Sequence, residues 1–343
     1  MQALKITAFI FLGLILIWIA FRKTDFSKLA DDLKRANYSW LLLSMVFGFI
    51  AYVSRARRWV LLINPLGYRP SLISTYHALM TGYLANLALP RVGEVTRCVA
   101  LGKKEKIPVD QLLGTVIIER TIDFITVLLL LAIILLTSSD QIMNFLDESF
   151  FIPLHEKLTR IFGATWIVWL AALAIGLVVF ALIIKYRSKL RKFRFFDRMF
   201  IMARGIINGL KSIMSLERKW EFIFHSVFIW VNYALMTWVV VFALKSTSVV
   251  SFGESIIILV IGGLAMSAPV QGGFGVFHYA VSRTLIIIAG VSMEDGLAYA
   301  VLTHESQLIL AIFLGAISFF LFFKKKKIHP LHPLDDGNST SIQ

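Results

Sequence analysis

Long apolar runs alternate with short charged intervals along this chain, and the runs can be measured against a bilayer. A hydrocarbon core of about 30 Å takes about 20 mostly apolar helical residues. Six runs meet that length within a few residues: 4–21, 40–63, 111–136, 164–184, 221–243 and 298–323. Two further stretches, about 72–90 and 253–290, are as apolar but are interrupted by Pro and Gly. The pattern predicts an all-α, polytopic membrane protein. The first run reads as a transmembrane helix and not as a cleaved signal, because Trp18-Ile19-Ala20-Phe21 offers no small-x-small cleavage site.

Composition agrees with the pattern. Of 343 residues, 58% are hydrophobic and 16% charged, and the mean hydropathy is +0.77. Soluble chains carry roughly 45–50% apolar and about 25% charged residues, so too little polar surface remains here to cover a water-facing particle. A soluble enzyme is excluded. The net charge of +14 is not a nucleic-acid footprint, since the basic residues border the apolar runs and act as topology determinants. Cys98 stands alone, which excludes a disulfide framework and any Cys-based metal site.

The charges also set sidedness. Residues 185–220 hold eleven Lys and Arg against two acids and are expected to be a cytoplasmic loop. Phe193, Phe195, Phe196 and Phe200 make that loop amphipathic, suited to lie on anionic headgroups. Lys324 to Lys327 place the C-terminus inside, and residues 137–163, with two basic against four acidic residues, lie outside. The tail 324–343 is basic, then polar, and is predicted to be disordered.

The two interrupted stretches share a pattern of apolar helix, Pro, Gly and further helix. The first reads Asn86-Leu-Ala-Leu-Pro90-Arg91-Val-Gly93-Glu94, and the second Ser267-Ala-Pro269-Val-Gln271-Gly272-Gly273-Phe-Gly275. Read as hairpins at about 72–100 and 253–290 that enter and leave on one side, they yield two inverted halves, about 1–137 and 160–323. Each half then has three spanning helices plus one re-entrant hairpin, and both termini are cytoplasmic. Full crossing by both stretches would instead give eight or nine spans. Pro removes a backbone donor and Gly adopts conformations closed to other residues. Backbone broken in this way is tolerated at membrane depth only where protein buries it or a wet cavity receives it. Broken helices in matching positions of two inverted halves are the sequence pointer to a transporter's binding site.

Ionisable residues in the apolar runs point to the same region. Glu119 and Asp123 share a helix face at i,i+4, and Arg120 lies one turn from Asp123. A charge at depth costs at least roughly 2.5–3.5 kcal/mol, so these groups are expected to face inward and to pair with Arg91, Glu94 and Arg97. In the second half the candidates are His278, Tyr279 and Arg283 after the Gly-rich break, and His304, Glu305 and Gln307 in the last run. Arg55, Arg57 and Arg58 beside Trp59 read as an interfacial anchor. No HExxH, GxSxG, phosphate loop or paired Cys/His set is complete in the sequence, so neither metal, cofactor nor enzymatic activity is expected.

Asn86-x-x-Leu89-Pro90-Arg91-x-Gly93-Glu94-x-x-Arg97, then Glu119-Arg120-x-x-Asp123, then Pro269-x-x-Gly272-Gly273-x-Gly275, resemble the flippase-like transmembrane domain of lysylphosphatidylglycerol synthases and its stand-alone relatives. The likeness runs from about residue 5 to 323. It implies a prokaryotic inner-membrane protein that moves a lipid between leaflets. Bifunctional members carry a cytoplasmic aminoacyl-transferase domain after the membrane domain, and this chain is expected to lack it, which leaves the cargo open. The sequence also departs from the family where Phe277-His278 stands in place of an acidic residue.

The resulting expectation is a groove in which Arg91, Arg97 and Arg120 receive a lipid phosphate while Glu94, Glu119 and Asp123 hold those guanidinium groups when it is absent. The hairpin breaks would be Asn86, Pro90, Gly93, Pro269, Gly272, Gly273 and Gly275, with His278, Arg283, His304 and Glu305 as the second-half counterpart. The partners would be membrane phospholipids, anionic in character, with a lipid-modifying enzyme or a second copy of the chain as further candidates. The alternatives are a membrane glycosyl- or phosphotransferase acting on a polyprenyl-phosphate, and a non-transporting partner of lipid-modifying enzymes.

Overall fold

The computed structural model describes residues 25–88, 92–137, 216–267 and 270–323. Runs 4–21 and 164–184, the acidic loop, residues 185–215 of the basic segment, the tail from 324 on, and Pro90, Arg91 and Pro269 lie outside the described residues. Nine α-helices follow in order among the described residues: α1 Phe26–Arg35, α2 Tyr38–Ile63, α3 Leu72–Ala88, α4 Gly93–Glu105, α5 Val109–Thr137, α6 Lys219–Val240, α7 Phe252–Met266, α8 Val276–Ala289 and α9 Met293–Phe323. The fold is all-helical and that of a polytopic membrane protein.

Local chemistry starts these helices where the sequence permits. The Asp25 carboxylate accepts the N–H groups of Ser27 and Lys28 at 2.9 and 3.2 Å, which opens α1, and the Asn37 side chain accepts from Ser39 N–H at 3.1 Å to open α2. Along α2 the buried positions Leu41, Ser44, Gly48, Ala51, Arg55, Arg58 and Leu62 recur every three or four residues, a single inward stripe. Leu42, Val46 and Phe49 on the opposite face are exposed, as are Ile309, Ile312, Phe313 and Phe320 of α9. Such apolar faces are at home only in lipid, and Tyr38–Leu66, Lys219–Ala243 and Met293–Phe322 are each long and apolar enough to cross a membrane. Helix α5 covers the run expected at 111–136.

The interrupted stretches form two pairs of short helices. Helices α3, α4, α7 and α8 have 17, 13, 15 and 14 residues, or about 20–26 Å each at 1.5 Å per residue, less than the apolar thickness of about 30 Å. In the first pair, Asn86 Oδ1 accepts the N–H of Gly93 at 2.7 Å, so a side chain from the end of α3 caps the start of α4. The two arms meet backbone to backbone: a Cβ on Gly93 would overlap the Gly82 carbonyl and the Asn86 side chain. In the second pair the chain turns through Gly272, Gly273 and Gly275, all left-handed with φ of 61°, 69° and 78°. Helix α7 opens with a capping box in which Ser251 and Glu254 exchange side-chain and backbone hydrogen bonds. Ser251→Ala is expected to lower stability by about 1 kcal/mol, readable as a reduced melting temperature in detergent.

Packing joins elements far apart in sequence. Helix α2 lies along α6, where Ser44 Oγ donates to the Met236 carbonyl at 3.0 Å. The first short pair sits on α9 through α3, with the His77 ring hydrogen-bonded to Ser318 Oγ at 3.0 Å, and α7 of the second pair packs on α5. The first pair therefore rests on α9, and the second lies between α9, through α8, and α5, through α7. The first pair reaches α5 through α4, and that contact brings charged groups together.

Candidate functional site

Three helices meet with their charged residues turned inward. Helix α2 supplies Arg55 and Arg58, α4 supplies Glu94 and Arg97, and α5 supplies Glu119, Arg120 and Asp123. Glu119 is the hub and is fully buried. Its Oε1 accepts from Arg55 Nη2 at 2.6 Å, Arg58 Nη2 at 3.3 Å and Arg120 Nη2 at 3.4 Å, while its Oε2 accepts from Arg97 Nη1 at 3.0 Å. Asp123, one turn on, takes Arg58 Nη2 at 2.7 Å and Arg55 Nη2 at 3.3 Å. Glu94 pairs with Arg97 at 2.6 Å and with Arg120 Nε at 3.2 Å.

Exposure divides the network into a floor and a rim. The side chains of Glu119 and Arg58 are 0% exposed and that of Arg97 is 2%, whereas Arg120 is 42% and Glu94 30% exposed. Arg97 is pressed over the ring of Trp59, with Cζ 4.6 Å from its centroid, and Trp59 Nε1 donates to Thr115 Oγ1 at 2.8 Å. Arg55 also reaches Tyr233 Oη at 3.1 Å, which ties α6 into the floor. Each buried arginine makes at least one contact of 3.0 Å or less, whereas all three ion pairs of Arg120 lie at 3.2–3.5 Å.

Two further properties define what this cluster can do. Four guanidinium groups face three carboxylates, 4 − 3 = +1, among the described residues. In addition Nε of Arg55, Nε and Nη1 of Arg58 and Nε of Arg97 are buried with no hydrogen-bond partner there. Buried donors without an acceptor are costly. A net positive, donor-rich cluster with one accessible edge has the chemistry to accept an anion with several oxygens, since guanidinium forks match phosphate geometry.

Glu94, Arg97, Glu119, Arg120 and Asp123 thus come together in one network, and Arg91 lies outside the described residues. The interfacial-anchor reading of Arg55 and Arg58 is corrected. Both are buried in the network, and of that trio only Arg57 turns away, to Glu221 at 2.7 Å. The signal was available, because Arg55 and Arg58 are i,i+3 inside an apolar run and continue the stripe through Ser44, Gly48 and Ala51. Arg57 also lines a separate cavity of about 550 Å3 with Arg69, Arg218 and Glu217.

In the second half, His278, His304 and Glu305 converge, with Glu305 Oε1 3.0 Å from His304 Nδ1 and 3.5 Å from His278 Nε2. Glu305, from α9, thus places a carboxylate beside His278. Arg283 does not join them: it is exposed on α8. Tyr279 is exposed too, and Gln307 Nε2 donates instead to Ser44 Oγ at 3.1 Å.

Comparison with known proteins places these features in a family. No solved structure matches the chain. A UPF0104 membrane protein of Methanocaldococcus jannaschii is 23% identical over 338 residues, covering 93% of this chain and 94% of that protein. The family described as the lysylphosphatidylglycerol synthase TM region matches residues 4–315, a span that holds every residue of both clusters, and the chain belongs to that family.

Proposed function

We propose that this protein moves a phospholipid, or a lipid-linked phosphorylated headgroup, between the leaflets of a prokaryotic inner membrane. The observation that carries the reading is the excess of guanidinium over carboxylate at a site with a buried floor and one exposed edge, inside a helical membrane protein. Membership of a family named for a lipid synthase's membrane region supports a lipid cargo. The short paired helices are read as re-entrant hairpins of two inverted halves, since none of the four is long enough to cross by itself. Both termini are taken as cytoplasmic.

The chemistry follows from the network. An unpaired Arg at membrane depth is expensive, so carboxylates hold the guanidinium groups when no cargo is present. Arg120 is the mobile member: it is the most exposed charged side chain of the cluster, and none of its ion pairs is shorter than 3.2 Å. A phosphate arriving at the rim replaces Glu94 and Asp123 around Arg120, exchanging one set of charge-assisted hydrogen bonds for another at modest net cost. The acyl tails stay in lipid beside the exposed apolar faces.

Leaflet exchange of fluorescent phospholipids in proteoliposomes tests this, with several headgroups compared. Wild type is expected to exchange lipids in a headgroup-dependent manner, and Arg120→Ala to reduce the rate at least tenfold while leaving the melting temperature nearly unchanged, since exposed ion pairs contribute little. No exchange above empty vesicles for any headgroup, with folded protein, would overturn the reading. Product formed only in the presence of a sugar donor would favour a transferase. Loss of a bound enzyme in Arg120→Ala, without any change in lipid movement, would favour a docking subunit.

A further inference from the structure

A second cluster lies at the break between α7 and α8, away from the arginine network. Two imidazoles and a carboxylate converge there, and one ligand atom from each lies within 4.8 Å of the others. His278 and His304 are buried, at 3% and 7% exposed, while the Glu305 side chain retains 33%. Phe274 stacks on the His278 ring at 6.0 Å and meets the His304 ring edge-on at 4.9 Å, and Phe277 lies 5.2 Å from His304. The result is an aromatic pocket around two ring nitrogens and one carboxylate oxygen.

Hydrogen bonding decides what the pocket holds. His304 Nε2 lies 2.7 Å from the carbonyl oxygen of Gly272, which can only accept, so Nε2 carries a hydrogen and donates it. In the neutral ring Nδ1 is then a lone pair, and it faces Glu305 Oε1 at 3.0 Å. Two electron-rich atoms at that separation share a cation. His278 Nε2 approaches the same oxygen at 3.5 Å, so both rings converge on one carboxylate oxygen. Ligands about 2.0–2.1 Å from a tetrahedral metal are separated by about 3.3 Å. The two edges that end on Glu305 Oε1, at 3.0 and 3.5 Å, bracket that value, and all three lie within 4.8 Å.

We propose that His278, His304 and Glu305 bind a divalent first-row transition metal of the zinc class. The Gly272 carbonyl is then the outer partner that fixes the His304 tautomer and ring orientation, as ligating histidines require. That carbonyl is aimed by a left-handed residue, φ 61°, in the glycine-rich break. Two imidazoles and one carboxylate leave a fourth position open on the exposed side of Glu305, for water or an anionic oxygen. The ion would bind the break and α8 to α9, at a place where the backbone has no helical ladder of its own. Neither the sequence motifs nor the family name points to such a site, and the proposal does not depend on lipid transport.

The test uses the full chain in detergent, stripped with chelator and titrated with Co2+ as a spectroscopic probe, then with Zn2+. Wild type is expected to bind about one Co2+ per chain with the intense visible absorption of low-coordinate cobalt, displaced by Zn2+. His278→Ala and His304→Ala should each weaken binding at least tenfold, a loss at least as large as outer-partner substitutions produce. His225→Ala, whose ring bonds Ser54 outside the cluster, should bind as wild type. The wild-type spectrum stands whether or not the variants fold. No cobalt spectrum from wild type, or binding that His278→Ala and His304→Ala leave intact, overturns the proposal. Stability that depends on pH in wild type and not in Glu305→Gln, without metal binding, would show a proton only.

Discussion

Glu119→Gln should be the most damaging conservative change in the arginine network, lowering stability by about 3–5 kcal/mol, the range for removing one partner of a buried ion pair. The substitution preserves shape and removes one charge, so four guanidinium groups would face two carboxylates, 4 − 2 = +2, around a position that is fully buried. Water cannot screen the excess there, because Arg58 and Arg97 are as buried as Glu119. The measurement is thermal unfolding of the detergent-solubilised protein followed by tryptophan fluorescence. The double variant Arg58→Met/Glu119→Gln should recover part of the loss by returning the excess to +1, a coupling of the size seen for residues in one network. A Glu119→Gln protein within about 1 kcal/mol of wild type would show that the guanidinium groups do not depend on this carboxylate.

How much of this was legible beforehand varies with the kind of signal. Helices α2, α5, α6 and α9 follow from apolar runs alone, because length and hydropathy act directly on a helix in lipid. The pairing of Glu94, Arg97, Glu119, Arg120 and Asp123 also follows, since the cost of a charge at depth leaves few alternatives. Arg55 and Arg58 were misplaced because three arginines beside a tryptophan look like an interfacial belt when counted along the chain. Only the helical stripe through Ser44, Gly48 and Ala51 shows that two of the three turn inward while Arg57 turns away. The grouping of His278, His304 and Glu305 is expected from the sequence, but that of Arg283 is not met, since the glycines before α8 leave open which of its faces turns toward α9. The carboxylate beside His278 comes from α9 and not from the local sequence after Gly275.

Gly93→Ala tests the first break from the other side, through space and not charge. The added methyl would meet the carbonyl of Gly82 and the side chain of Asn86, and neither can yield independently. Gly82 is locked in α3, and Asn86 is engaged in accepting the Gly93 N–H at 2.7 Å. Moving the arms apart to relieve the overlap would break that cap and shift Arg97, one turn along α4, away from Glu119. Overpacking of this kind costs typically about 1–3 kcal/mol, and the lost cap adds about 1 kcal/mol, so a total of about 2–4 kcal/mol is expected. Gly114→Ala is the matched control, because its Cβ would meet nothing within 4 Å in mid-helix α5. That change should raise stability by roughly 0.5–1 kcal/mol through helix propensity alone. Paired melting curves in detergent, with leaflet exchange of the same preparations, give the reading. If Gly93→Ala melts like Gly114→Ala, the arms are not in backbone contact, and the break must position Arg97 by some other means.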